Sequence, residues 1–150
     1  MTAAVEPPVR ELPEPEAAAP PLRVLYDEDC PFCRWTAERL RRWDRARRLR
    51  LIPYDRVKED PGLTLAVRGQ RLGATVHVVD DEDRLATGGE AILAVVALLP
   101  GGDPVARLVR ASPPARRAVA LGYGLLNRWR GPLAGWLGLD GPRRNELRAA

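Results

Sequence analysis

The sequence predicts an α/β fold: a mixed β-sheet flanked by helices, with an added helical segment at the C-terminal end. Three observations predict it. A C-x-x-C pair stands between a strand-like run and a helix-like run, short apolar runs alternate with helical patterns through residues 22–103, and apolar residues recur at helical spacing in the last third. At 150 residues the chain suits one domain with a sizeable core.

The elements follow in order. Residues 1–21 hold six of the 15 prolines, four glutamates and one arginine, and read as a disordered Pro/Ala/Glu-rich tail. The tail has no apolar signal-peptide core. Leu22–Tyr26 is short and rich in strand-favouring residues. The next segment mixes Trp35, Leu40 and Trp43 with Arg34, Glu38, Arg39, Arg41 and Arg42, as a helix would, with Pro31 at its first turn. Residues 49–54 read as a second strand. Pro61-Gly62 reads as a break before a short helix over 63–67. Residues 74–80 form the clearest strand, followed by an acidic turn and a return strand over 84–86. Residues 91–99 read as an apolar helix that Pro100-Gly101-Gly102 terminates. Helices are expected over 104–110 and 114–130, with Ser112 as an N-cap. Strand–helix–strand, then a hairpin and a helix, is the order of a thioredoxin-like fold. The expected organisation is a tail (1–21), a thioredoxin-like core (22–103) and a basic helical extension packed on it (104–150).

The chemistry-bearing feature is Cys30-Pro31-Phe32-Cys33, the two cysteines of the chain. A C-x-x-C that opens a helix can carry out thiol–disulfide exchange, because one thiolate attacks a disulfide sulfur and the second resolves the mixed disulfide. Free N–H groups and the helix dipole stabilise an anion at that end. Cys30 is the expected nucleophile and Cys33 the resolving thiol. The neighbours Asp27, Glu28 and Asp29 would raise the pKa of the thiol, and Arg34 would lower it. The competing readings are an inert buried pair and a metal site. The metal reading lacks ligands, since one histidine, His77, accompanies the two cysteines. His77, alone in a strand, reads as a sheet-face residue. Trp35 and Trp43 read as core or groove-lining residues.

Charge is uneven. Residues 104–150 carry nine arginines against two acids, a net +7, and one lysine, Lys58, occurs in the whole chain. A solvated arginine-rich face is the preferred reading over nucleic acid or an anionic membrane, since no nucleic-acid motif accompanies the charge. The apolar stripe in that segment (Val119, Tyr123, Leu126, then Leu133, Trp136, Leu137 and Leu139) reads as core or a covering helix before a membrane-surface one.

Residues 26–33, with the order Tyr26-Asp27-Glu28-Asp29 before the C-x-x-C, resemble the signature of the DCC family of thiol–disulfide oxidoreductases. So do the strand near Leu49–Pro53, the segment Val78-Val79-Asp80-Asp81 with the helix start Gly89-Glu90-Ala91, and the late Tyr123…Asn127-Arg128. The resemblance covers about residues 22–130. It implies a thioredoxin-like fold and a dithiol/disulfide site at Cys30 and Cys33. Two departures stand out. Glu28 replaces the family's usual glycine, and Gly73-Ala74-Thr75 stands where thioredoxins and glutaredoxins place a cis-proline, so Thr75 is expected to face the sulfurs. Asp27, Pro31, Phe32, Arg34 and Thr75 are thus the expected site-shaping residues. The expected function is cytoplasmic thiol–disulfide exchange with protein or small-molecule disulfides, needing no cofactor or metal and an external electron donor of unknown kind. The opposing expectation is a non-catalytic adaptor binding a partner or anionic surface through its basic helices.

Overall fold

The computed structural model describes residues 21–139. Residues 1–20 of the tail expected over 1–21, and the last stretch of the C-terminal extension, 140–150, lie outside the described residues. The four strands are β1 (Leu22–Tyr26), β2 (Leu49–Pro53), β3 (His77–Val79) and β4 (Leu85–Thr87), in the sheet order β2-β1-β3-β4. β1 runs parallel to β2, with Leu25 opposite Ile52, and antiparallel to β3, with Leu25 opposite His77. A parallel neighbour requires a crossover, which helix α1 (Pro31–Trp43) supplies. A tight acidic turn suffices for the antiparallel β3–β4 pair, where the Asp80 carboxylate accepts the backbone N–H groups of Glu82 and Arg84. This mixed sheet covered by helices is consistent with a thioredoxin-like fold.

Alternation along the strands splits the core in two. Leu25, Ile52 and Val79 meet Val57 of a 3-10 turn (Tyr54–Glu59) and Leu63 of α2 (Pro61–Ala66) on one face. Val24 and Val78 meet Ala91 and Val95 of α3 (Gly88–Leu98), with Leu40 of α1, on the other. Each fully buried aliphatic side chain contributes about 1.5–3 kcal/mol. Helices α4 (Gly102–Ala111) and α5 (Pro113–Trp136) then close over α3, and α5 also reaches α1. One carboxylate sets the distance between α1 and β2: buried Asp44, at the end of α1, accepts the N–H groups of Arg48 (2.9 Å) and Leu49 (2.8 Å).

Several boundaries depart from the expectation. Pro61-Gly62 begins α2 rather than breaking the chain, because Asp60 caps the N–H groups of Gly62 and Leu63. β3 is three residues long instead of seven, because residues 73–76 give their backbone groups to side chains from elsewhere. α3 starts at Gly88, three residues earlier than expected. There Gly89 lets α5 approach so closely that a Cβ would lie 3.1 Å from the Ala120 Cα. Ser112 occupies the N-cap position of α5, but its side chain makes no capping hydrogen bond. α5 runs on to Trp136 through Pro132, where the expected helix stopped at residue 130.

The C-terminal apolar stripe is divided. Val119, Tyr123, Leu133 and Leu139 are half-buried, while Leu126, Trp136 and Leu137 are exposed, Trp136 to 83%. No helix among the described residues is long and apolar enough to cross a membrane.

Candidate active site

Cys30 is the N-cap of α1. Its extended backbone (φ −88°, ψ 112°) ends β1's approach, and Pro31 follows at the first helical position without removing any needed N–H. The Cys30 Sγ accepts two hydrogen bonds, from the Cys33 backbone N–H at 3.3 Å and from the Cys33 thiol at 2.8 Å. Both cysteines are free thiols, and both are half-buried.

These contacts set the protonation of the pair. The Cys33 S–H donating to Cys30 is the largest influence, and it lowers Cys30 to about 6 from an ordinary thiol value of 9.0. Burial opposes the shift. The Cys33 N–H and the Arg130 guanidinium reinforce it, and Asp27 works weakly against it. The same hydrogen bond, with burial added, pushes Cys33 strongly upward. The lowering favours the Cys30 thiolate at neutral pH, and the Cys33 S–H stabilises that anion. The contest between acidic and basic neighbours that the sequence left open is settled by neither side, because a group within the motif outweighs both.

The expected site-shaping residues fare differently. Asp27 lies beside the pair and its carboxylate accepts the Asp29 N–H (2.9 Å), forming the turn before Cys30. Glu28 adopts no left-handed backbone, so its replacement of glycine is accommodated. Phe32 stacks on Trp35 with ring centroids 6.0 Å apart, and Arg39 lies over the Trp35 ring. A cation that acts on both thiols is Arg130 of α5, more than 90 residues away in sequence, beside the expected Arg34 at the start of α1. Thr75 is brought to the same cleft as Cys33, but its hydroxyl bonds to the Tyr123 hydroxyl (3.2 Å), and no cis peptide bond occurs among the described residues.

Sequence reasoning missed how residues 73–76 are held. Tyr123 accepts the Val76 N–H at 2.7 Å, Asn127 donates to the Ala74 carbonyl at 2.7 Å, and Arg130 donates to the Gly73 carbonyl at 2.8 Å. Tyr54 donates to the Thr75 carbonyl from the opposite side at 2.9 Å, and burial pushes its own phenol up to about 12. Side chains thus fix the loop beside the thiols at the place where thioredoxins have a proline ring. The signal was present: 123, 127 and 130 lie at i, i+4 and i+7 on one helix face. Tyr123→Phe removes the acceptor for the Val76 N–H. We expect a loss of about 1–2 kcal/mol, read as a lower melting temperature, together with faster amide exchange at Val76.

Cys33 borders an apolar cleft of about 250 Å³ between α1 and α5, floored by the sheet and α3. Trp43, read as groove-lining, borders this cleft. A profile of the DCC1-like thiol-disulfide oxidoreductases matches residues 24–136. The chain belongs to that family. No curated protein and no solved structure matches it. In this DCC1-like chain the match includes the C-x-x-C, the loop at 73–76 and the clamp from α5, so the family's extent covers every part of the site described above. Among the described residues no group of three or more His, Cys, Asp or Glu could hold a metal. His77 is fully buried edge-on to Tyr54 (6.3 Å), and burial lowers it from the ordinary imidazole range.

Proposed function

We propose that this chain is a thiol–disulfide oxidoreductase whose Cys30 thiolate attacks a protein or small-molecule disulfide and whose Cys33 resolves the mixed disulfide. The observation that carries the reading is the hydrogen bond from the Cys33 thiol to the Cys30 sulfur at the start of α1. An inert buried pair has no use for one sulfur held as an anion by the other. Family membership supports the same chemistry. In the reducing direction Cys30 Sγ bonds to one substrate sulfur and the other leaves as a thiolate. Cys33 bonds to Cys30 Sγ and expels the remaining substrate sulfur, which takes up the Cys33 proton and leaves as a thiol, and the protein ends as the disulfide.

The loop at residues 73–76 lies on the cleft side of the pair and is fixed by Tyr123, Asn127 and Arg130. Its backbone groups are already engaged, so docking would rely less on strand-like pairing with substrate than on the surface around Phe32. The cytoplasm is the compartment that fits free thiols in a chain without further cysteines. The testing experiment is turnover of a peptide disulfide by the full chain with a thiol donor, against the Cys30→Ser variant. Catalysis lost in the variant supports the reading. Equal background rates for both would remove it in favour of a non-catalytic adaptor.

A further inference from the structure

The cleft reaches the thiol pair from one side only. Cys33 lines it and Cys30 does not, and Cys30 is the less deeply buried of the two. Its void of about 250 Å³ exceeds the roughly 150 Å³ of an apolar cavity that takes up benzene. Leu40, Trp43, Val96, Leu99 and Leu126 make its body apolar, and its polar groups gather at the Cys33 end. A second hollow lies against the residues Trp43, Val96 and Leu99 that it shares with the cleft. Exposed Arg42 and Arg45 edge that hollow, and neither takes part in an ion pair among the described residues. A thiol at one end, an aliphatic channel and a cationic rim at the far end complement one kind of molecule.

We propose that this cleft seats an aliphatic dithiol with a terminal carboxylate, which reduces the Cys30–Cys33 disulfide by attacking Cys33. The inference rests on the redox reading above and names the class of its electron donor. One ligand thiolate bonds to Cys33 Sγ, the Cys33–Cys30 bond breaks, and Cys30 leaves as the thiolate. The second ligand thiol loses its proton, bonds to the first ligand sulfur and breaks that sulfur's bond to Cys33. The ligand departs as a disulfide, oxidised by two electrons. Of its two protons one ends on Cys33 and the other in solvent. Cys30 is the better leaving group because its anion, at the N-cap of α1, accepts the Cys33 backbone N–H. The pair then has two sides: Cys30 meets large disulfides from solvent, and Cys33 meets the small donor from the cleft.

The test uses the full chain in its disulfide form. Reduction by dihydrolipoate is compared with reduction by dithiothreitol, a polar dithiol, at equal concentration. We expect dihydrolipoate to be faster by at least about tenfold. Octanoate should cancel that gain while leaving the dithiothreitol rate unchanged. The double variant Arg42→Glu/Arg45→Glu should lose the gain for dihydrolipoate and keep it for uncharged dihydrolipoamide. Octanoate should also slow alkylation of Cys33 in Cys30→Ser but not of Cys30 in Cys33→Ser. Equal rates for the two dithiols, or a gain that octanoate does not touch, would overturn the inference. If no disulfide forms, or dithiothreitol cannot reduce it, the redox reading itself fails. If dithiothreitol reduces it normally and the gain is absent, only the cleft's role fails.

Discussion

Cys33→Ser is expected to accumulate mixed disulfides with protein substrates, and Cys30→Ser to accumulate none. In Cys33→Ser the nucleophile remains, and a serine hydroxyl can still donate a hydrogen bond to the Cys30 sulfur in place of the thiol. Attack therefore proceeds, but the group that would expel the substrate is gone. In Cys30→Ser the remaining sulfur is the more buried one. It has lost its partner, it sits a turn further from the helix start where the dipole's influence fades, and burial still opposes its ionisation. Dithiothreitol-sensitive adducts in non-reducing gels of the two variants make the comparison. Equal trapping by both would reverse or abolish the assigned order of attack, and turnover should fall to background in either variant.

The largest stability effect is expected from Gly102→Ala. A Cβ built on Gly102 would lie 1.8 Å from the Val96 carbonyl oxygen and 2.8 Å from its carbon. Both are backbone atoms of α3, and Gly102 itself is buried, so no side chain can swing aside. Relief requires moving the start of α4 away from the end of α3, in a region packed to interior density. We expect a loss of about 3 kcal/mol or more, which for a chain of this size lowers the melting temperature by about 10 °C. Gly122→Ala is the control. It lies within α5 with nothing within 4 Å of the added carbon, so the helix preference of alanine over glycine should stabilise it by up to about 1 kcal/mol. Thermal unfolding of the two variants should move in opposite directions.

These cases show where the sequence could be read and where it could not. β1, α1 and β2 were legible almost to the residue, because local signals coincide there: a strand-forming run, a proline at a helix start and a C-x-x-C. The place of Cys30 and Cys33 at the start of α1 was legible for the same reason. β3 was overcalled because residues 74–76 have strand-like character but spend their hydrogen bonds on Tyr54, Tyr123 and Asn127, and no local pattern shows that. Arg130 went unnoticed because proximity in sequence was visible and proximity in space was not. Part of the C-terminal stripe was also misleading, since Leu126, Trp136 and Leu137 follow the spacing of Tyr123 and Leu133 and yet are exposed.

The most direct measurement of the central claim is the pH titration of thiolate absorbance in the reduced wild-type protein, with the oxidised protein as blank. Lowering of the Cys30 pKa means that its anion persists down to about pH 6. Its contribution to the stability of the reduced fold is then fully present above 9.0, the value of an unstructured thiol, and is lost as pH falls through about 6. Cys33 works with the opposite sign: its raised pKa contributes stability below 9.0 that is lost at higher pH. The predicted result is one thiolate appearing with a midpoint near pH 6 and none from the second cysteine through the neutral and mildly alkaline range, with alkylation of Cys30 following the first midpoint. Two thiols titrating together near pH 9 would contradict it.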